Sequence, residues 1–170
     1  GAGPIGLAVA LWARFMGASD VVVSEPAEHR RALAMSMGAT ALVGVGASLG
    51  EEFADVAGGP PDLIFECVGA PGLLQQCMEI APRRGMLVPV GVCEQPDTIL
   101  PFPALIKELS IQFAIAYTRE DYQTVISMLA QGRVDASPMV TGVVSLEQMP
   151  AAFEALRTPS DQCKILTSLR

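Results

Sequence analysis

Apolar and polar positions divide the chain into segments whose spacing alternates between that of strands and that of helices. Residues 4–16, PIGLAVALWARFM, are apolar on nearly every side, begin with Pro4 and are followed by Gly17, which predicts a buried helix. DVVVSE (20–25) carries three consecutive valines without alternation, as expected for a parallel strand covered on both faces. The alternation continues to the C terminus and predicts βαβ units, hence an α/β fold with a doubly wound parallel sheet.

The other predicted elements follow from the same periodicities. On 119–132, Tyr122, Val125, Ile126 and Leu129 recur at helical spacing, and we expect this stripe to pack in the core. The predicted helices cover 4–16, 26–37, 48–56, 71–81, 102–109, 119–132 and 145–157. The predicted strands cover 20–25, 39–44, 62–69, 85–91, 110–117 and 162–169.

The chain opens on GAGPIG, in which Gly1, Gly3 and Gly6 have the G-x-G-x-x-G spacing of a dinucleotide-binding loop. That motif is weak alone, but here a predicted helix follows it, and Glu25 ends the next predicted strand about twenty residues on. Small residues let the backbone approach a pyrophosphate, and the N–H groups of the helix start point at it. The pattern predicts a Rossmann-type nucleotide site; the alternative is that the glycines only permit tight strand–helix packing.

Glu25 also bears on which dinucleotide the chain would bind. A carboxylate at the tip of the second strand accepts hydrogen bonds from the adenosine ribose hydroxyls and repels a 2′-phosphate, which favours NAD over NADP. Arg30 and Arg31 are the opposing signal, because their charges suit that phosphate. We expect Arg30 to pack along the adenosine instead.

No strand precedes the glycine loop in this sequence, although the first strand is central in the strand order 3-2-1-4-5-6. Without it, the strands predicted over 20–25 and 62–69 lose their shared neighbour, and backbone groups on both go unpaired. We therefore expect a gap or a distorted direct pairing between these two strands. The isolated chain should be poorly stable.

Composition narrows the function classes. Only 17% of the 170 residues are charged, so we expect another domain or subunit to cover part of the surface. A net charge of −7 argues against nucleic acid, and no apolar run of about eighteen residues predicts a membrane span. The cysteines form no C-x-x-C pair, which suits reduced residues of a cytoplasmic protein, and the single histidine, His29, is expected to be exposed.

Two further strand ends are expected at the same crevice, because ligands of such sheets bind beyond the carboxyl ends of the strands. ECVG (66–69) brings Val68 there, and VPVGV (88–92) brings Val90, Gly91 and Val92. Glycine permits close backbone approach, and the apolar neighbours suit a nicotinamide ring and its ribose. Each segment alone is also an ordinary turn between a strand and a helix.

Several segments together resemble the zinc-containing medium-chain alcohol dehydrogenases: GAGPIGLAVALWARFMGASDVVVSEP, ECVG, GVC and the long stretch from KELSIQFAIAY to AAFEALR. The resemblance covers essentially the whole chain. VSEP and YTRED are most similar to the butanediol dehydrogenases, within the subgroup of 2,3-butanediol, sorbitol and threonine dehydrogenases. The resemblance implies hydride transfer between a secondary alcohol and nicotinamide, with a zinc ion polarising the alcohol oxygen.

The resemblance also implies which residues would hold NAD. By motif position, the pyrophosphate would meet the glycine loop and helix start, the ribose would meet Glu25, and the adenosine would meet Arg30. The glycine-loop candidates are Gly1, Gly3, Pro4, Ile5 and Gly6. The candidates for the nicotinamide half are Val68, Val90, Gly91 and Val92, with Ala114 as a weaker candidate and Lys164 as a weaker candidate for the pyrophosphate.

In the resembled family, zinc ligands belong to a separate, mostly N-terminal domain that this sequence does not contain. We therefore expect no catalytic residue and no metal ligand on this chain. Residues 1–136 are expected to form the dinucleotide-binding domain, and 137–170 to contact the absent catalytic domain. The resemblance further implies a homo-oligomer through the 98–103 edge, where the apolar side chains of Ile99, Leu100 and Phe102 stand; the alternative is a loop packed on its own domain.

Three other functions share some of these sequence features. A methyltransferase also binds ribose through an acid, but its glycine run is usually spaced differently and its sheet ends in an antiparallel hairpin. A non-catalytic NAD-binding module is compatible with every residue present. A zinc-free, NADPH-dependent quinone reductase of the same superfamily is disfavoured by Glu25.

Overall fold

The computed structural model describes residues 1–158 and 161–169, in which strands and helices alternate as the sequence predicts. The strands in the described residues are Val22–Ser24 (β1), Ala41–Val43 (β2), Leu63–Glu66 (β3), Met86–Pro89 (β4), Ser110–Ile111 (β5), Val140–Ser145 (β6) and Lys164–Ser168 (β7). The helices are Pro4–Phe15 (α1), Glu28–Ser36 (α2), Leu49–Ala57 (α3), Leu73–Ile80 (α4), Pro101–Lys107 (α5), Arg119–Ala130 (α6) and Met149–Ala155 (α7).

Every strand pairing among the described residues is parallel, which confirms the α/β fold class. β1 pairs with β2, β4 lies between β3 and β5, and β6 pairs with β7. In register, Val23 lies opposite Leu42, and Phe65 lies opposite Val88. The carboxyl ends of β1 to β4 therefore carry the segments that follow Ser24, Val43, Glu66 and Pro89, and these segments form the candidate site.

A cleft separates β1 from β3, and within the described residues no hydrogen-bonded ladder joins these two strands. Its volume is about 870 Å³, and both strand edges line it together with Leu49 and Phe53 of α3 and Cys77 of α4. The gap predicted between these two strands is thus confirmed. Gly1 is one of the residues that line this cleft, so residues added before Gly1 would begin at it.

Two apolar clusters hold the described elements together. Leu7 of α1 and Met37 after α2 are fully buried in the first cluster, and Met78 of α4 and Leu87 of β4 are fully buried in the second. Lys107 at the end of α5 donates from Nζ to the carbonyls of Met78 and Glu79, at 3.1 and 2.6 Å. This cation satisfies carbonyls in the last turn of α4, where a helix otherwise leaves them unpaired.

The observed strands differ from the predicted ones at two places. The strand predicted over 110–117 is regular only at Ser110–Ile111, although the amides of Gln112 and Ala114 still donate to the carbonyls of Leu87 and Pro89, at 2.9 and 3.1 Å. No strand was predicted over 140–145, yet β6 forms there because β7 supplies its hydrogen-bonding partner. A glycine within β6 and a proline just before it weaken the local strand signal.

The prediction that the apolar stripe of α6 packs in the core is wrong. Tyr122, Ile126 and Leu129 are 58%, 52% and 42% exposed. The start of the helix is nonetheless well specified, since Thr118 and Asp121 form a reciprocal capping box. No helix in the described ranges is long and apolar enough to cross a lipid bilayer.

The open cleft leads to a prediction about stability. A V/I-rich extension of about six residues before Gly1 should pair with the free edges of β1 and β3, whereas a Gly/Ser extension of equal length should not. The V/I-rich chain should therefore unfold at least about 5 °C above the 170-residue chain in a thermal melt followed by circular dichroism. The Gly/Ser chain should unfold with the unextended one. A sharp transition at one common temperature for all three chains would contradict an unfilled strand position.

Candidate functional site

Two glycines of the loop, Gly1 and Gly6, pack closely against neighbouring residues. A Cβ added to Gly6 would overlap the carbonyl oxygen of Gly1, and one added to Gly1 would lie 2.5 Å from Cγ2 of Val68. The chain therefore needs glycine at position 6 to bring the loop against α1, and Gly1 lies directly against the Val68 side chain at the end of β3. This close packing is what lets a backbone approach a pyrophosphate.

The amino end of α1 faces the same loop without a side-chain cap. Gly3 is its N-cap residue, it contributes no side-chain acceptor, and Pro4 occupies the first turn. The first N–H groups of a helix have no partner within the helix, and the helix dipole gives them a partial positive charge. The loop and the helix start therefore form a place where a phosphate group would be stabilised.

Glu25 is only 4% exposed, and its carboxylate joins three segments of the chain. Oε2 accepts a hydrogen bond from the Ala2 amide at 2.8 Å, and Oε1 accepts one from the Ala27 amide at 3.0 Å. A carboxylate offers about four lone-pair positions, so roughly two remain for other donors. Glu25 thus holds the glycine loop against the end of β1 and keeps acceptor capacity toward the cleft that it lines.

The two arginines of α2 differ in their surroundings. Arg31 donates from Nη1 to the carbonyls of Glu25 and Val43, at 3.1 and 2.9 Å, and so joins the ends of β1 and β2. Arg30 lines the cleft beside Glu25. Arg31 therefore has a structural role, and Arg30 is a cation that lines the cleft.

The ends of β3 and β4 form a second pair of contacting loops. The amides of Val90 and Gly91 donate to the Glu66 carbonyl at 2.8 and 2.9 Å, which brings 90–92 alongside 67–69. Val68 and Val92 are 55% and 62% exposed, so both present apolar surface at this crevice.

The structure brings most of the predicted residues together and leaves two apart. Gly1, Gly3, Gly6, Glu25, Arg30 and Val68 line one cleft, and Pro4 and Ile5 form the first turn of α1 beside it. Val90 and Gly91 are joined to the end of β3 by hydrogen bonds to the Glu66 carbonyl, and Val92 follows them. Ala114 donates its amide to the Pro89 carbonyl at the end of β4. Lys164 is exposed at the start of β7, and neither residue lines the cleft.

Sequence reasoning missed three residues that build this site. The Ala2 amide binds Glu25, Arg31 joins two strand ends, and the Glu66 carboxylate binds the loop that follows β3. Only Glu66 had a usable signal, because it stands directly before the CVG segment at the end of a predicted strand.

The cysteines of the cleft are not activated. Burial raises the pKa of the Cys67 thiol and raises the pKa of the Cys77 thiol to about 11, so both stay protonated at neutral pH. Within the two described ranges, no group of three or more His, Cys, Asp or Glu residues is arranged to hold a metal ion. The groups that line or adjoin the cleft are backbone amides of the glycine loop, the Glu25 carboxylate and apolar side chains such as Val68.

Comparison with known proteins gives a consistent family. The sequence model described as zinc-binding dehydrogenase matches residues 4–131. Human sorbitol dehydrogenase is 32% identical over 161 residues, which cover 92% of this chain and 45% of that protein. The chain thus spans about half the length of such curated relatives.

Solved structures show the same fold. The 2R,3R-butanediol dehydrogenase of Bacillus subtilis superposes with a TM-score of 0.89 at 31% identity, over 100% of this chain and 49% of that one. An alcohol dehydrogenase from Escherichia coli solved with NADH has a TM-score of 0.90 at 24% identity, over 99% of this chain and 50% of that one. A Sinorhizobium meliloti zinc-binding dehydrogenase solved with NADP has a TM-score of 0.86 at 26% identity, over 98% and 50%.

The match over 4–131 includes α1, the acid after β1 and the loops that follow β3 and β4, which are the segments that build the site. This chain belongs to the zinc-binding dehydrogenase family.

Proposed function

We propose that this chain is the NAD(H)-binding part of an oxidoreductase that transfers a hydride between a secondary alcohol or diol and NAD. The observation that supports this most directly is the joining of the glycine loop to the buried Glu25 carboxylate through the Ala2 amide at 2.8 Å. That bond sets an anion-binding helix start and a ribose acceptor side by side. The sorbitol and butanediol dehydrogenases among its relatives support the alcohol or diol class of substrate.

Each part of the site has a separate binding role in this proposal. The amides of the glycine loop and of the first turn of α1 bind the pyrophosphate, and Glu25 accepts from the ribose hydroxyls. Arg30 packs along the adenosine, while Val68 and Val92 contact the nicotinamide end. NAD, when bound, supplies the hydride acceptor. The residues of this chain orient it and exclude water from its apolar end.

NAD is proposed over NADP because of the charge at Glu25. The carboxylate is nearly fully buried, so water screens it poorly from a 2′-phosphate placed at the ribose. Arg31 donates to two strand-end carbonyls, which leaves it less suited to compensate that repulsion. The solved structures with this fold include one with NADH and one with NADP, so the choice of NAD is proposed from Glu25 and Arg31 of this chain.

The zinc chemistry is proposed to lie in a catalytic domain outside these residues, since relatives are about twice as long. Within this proposal, 1–136 binds the dinucleotide and 137–170 contacts that domain. The separate β6–β7 ladder supports the division, because it pairs with no other strand in the described chain. Val143, Phe153 and Leu166 are 64%, 69% and 47% exposed there, and such apolar surface suits an interdomain contact.

A homo-oligomer through the 98–103 edge is also proposed. Ile99, Leu100 and Phe102 are 40%, 60% and 60% exposed, which makes a contiguous apolar edge. The edge is held in place from α4, because Leu100 donates its amide to Oε1 of Gln75 at 2.8 Å. An ordered apolar edge loses little conformational entropy when a second copy covers it.

We place the protein in the cytoplasm. All four cysteines are free thiols, and Cys93 is exposed. An exposed thiol persists most readily in a reducing compartment.

Metal removal should separate the roles of this chain and of the absent domain. Treating the full-length protein with a zinc chelator should abolish alcohol-dependent reduction of NAD, because the proposed zinc ion polarises the alcohol oxygen. NADH affinity, measured by quenching of protein fluorescence, should change by less than about twofold, because no zinc ligand is proposed on this chain. Chelation that removed NADH binding and turnover together would contradict the separation, and full activity in the apoprotein would contradict zinc chemistry.

Removing the charge of Glu25 should relax the cofactor preference. Glu25→Gln keeps an oxygen acceptor but loses the repulsion, so the ratio of NADPH to NADH dissociation constants should fall at least about tenfold, or 1.4 kcal/mol. Glu28→Gln is the matched control, since Glu28 is an exposed acid on the same helix start. Titration calorimetry of both cofactors checks the result. Equal binding of NADH and NADPH by the unaltered protein would refute the assigned role of Glu25.

A charge in the apolar edge should weaken self-association. Leu100→Glu would bury a carboxylate in the proposed contact, so the oligomer should dissociate at micromolar concentration in sedimentation velocity. Met16→Glu is the control, because Met16 is 78% exposed just after α1 and outside that edge. The edge is not the contact if the unaltered full-length protein sediments as a monomer, or if Leu100→Glu leaves the oligomer intact.

A further inference from the structure

Glu66 is the last residue of β3, and its side chain turns back onto the loop that follows. Oε1 accepts from the amide of Val68 at 2.7 Å and from the amide of Gly69 at 3.0 Å, and Oε2 lies 3.2 Å from the Gly69 amide. Hydrogen bonds to a charged acceptor are stronger than those between neutral groups. The carboxylate therefore fixes the backbone conformation of the loop that carries Val68.

The same residue also holds the neighbouring loop through its main chain. Its carbonyl accepts from the amides of Val90 and Gly91, at 2.8 and 2.9 Å, just beyond the end of β4. One residue thus binds two loops, the first through its side chain and the second through its carbonyl oxygen. Movement of Glu66 would shift both.

The two loops contact each other directly, with no side chain between their backbones. A Cβ added to Gly91 would overlap the backbone nitrogen of Gly69 and would lie 2.7 Å from Oε2 of Glu66. Gly69 has φ = 74°, a left-handed conformation that glycine adopts without strain, and a Cβ there would overlap the backbone of Val92. Oε2 of Glu66 therefore lies beside the point where the two backbones meet.

We infer that Glu66 is a positioning residue that sets the nicotinamide end of the site. It holds Val68 and Val92, the two exposed apolar side chains of these loops, at a fixed separation. This inference rests on the proposed function, because it concerns the end of the site where that function puts the nicotinamide. Although Glu66 also lines the cleft, its carboxylate oxygens accept from the amides of Val68 and Gly69, so its effect on the cofactor is transmitted through these loops.

Glu25 and Glu66 should then have separable effects. Glu25 binds the glycine loop, which serves the adenosine and pyrophosphate. Glu66 binds no part of that loop in the described hydrogen bonds. A change at Glu66 should therefore affect a complete dinucleotide but spare a fragment that lacks the nicotinamide, such as ADP-ribose.

The test compares the full-length protein with its Glu66→Ala and Glu66→Gln variants and with Glu94→Ala as a control. Glu94 is an exposed acid on the loop after β4. Dissociation constants for NADH and for ADP-ribose are measured by titration calorimetry. Glu66→Ala leaves two loop amides without their acceptor, so NADH should bind about tenfold more weakly. ADP-ribose affinity should stay within about twofold in every variant.

The NADH affinity of Glu66→Gln should lie between those of the unaltered protein and of Glu66→Ala. The amide oxygen still accepts one hydrogen bond, whereas the NH₂ group cannot accept one from the Gly69 amide. This variant also decides the matter if Glu66→Ala does not fold. Equal weakening of NADH and ADP-ribose in Glu66→Gln would overturn the inference, and so would unchanged binding of both by the Glu66 variants. Failure of the unaltered protein to bind NADH and ADP-ribose would overturn the proposed function itself.

Discussion

The hydrogen bond from the Ala2 amide to the buried Glu25 carboxylate is the contact on which the site depends. It spans 23 residues of sequence and joins the glycine loop to the end of β1, while the second carboxylate oxygen holds the start of α2. A buried carboxylate is stable only when donors satisfy it, and here two backbone amides do so. Because this pairing is internal to the chain, the described residues alone hold the glycine loop in its place.

A second glutamate repeats this arrangement at the other half of the crevice. Glu25 follows β1 and Glu66 ends β3, and each accepts backbone amides from a glycine-containing loop. Both glutamates stand where a parallel strand ends, and the loop amides that they bind need acceptors from outside a ladder. A carboxylate supplies several acceptor positions in one side chain. The two halves of the proposed dinucleotide site are thus fixed by the same chemistry at two strand ends.

Sequence reasoning could predict the fold class, the gap between β1 and β3 and the cluster formed by the glycine loop, Glu25 and Arg30. Each depends on local periodicity or on motif spacing, which a single sequence contains. It could not predict that Glu25 is bound by Ala2, because that contact is decided by how the loop packs in three dimensions. Likewise, the exposure of Tyr122 and Ile126 could not be predicted, since helical spacing shows that a helix has an apolar face but not what covers it.

Polar and apolar groups of this chain differ in whether their partners lie within the described residues. The side chains that position the site are paired within the chain, as with Glu25, Arg31 and Glu66. The surfaces left open are apolar: the cleft beside β3, the stripe on α6, the face of β6–β7 and the edge at 98–103. Apolar surfaces are stabilised by coverage of the right shape and need few specific donors, so other segments or copies can complete them. Polar site geometry tolerates less displacement, because each hydrogen bond depends on distance and angle. The residues that orient a ligand are therefore held by bonds inside this chain, and association is left to its apolar faces.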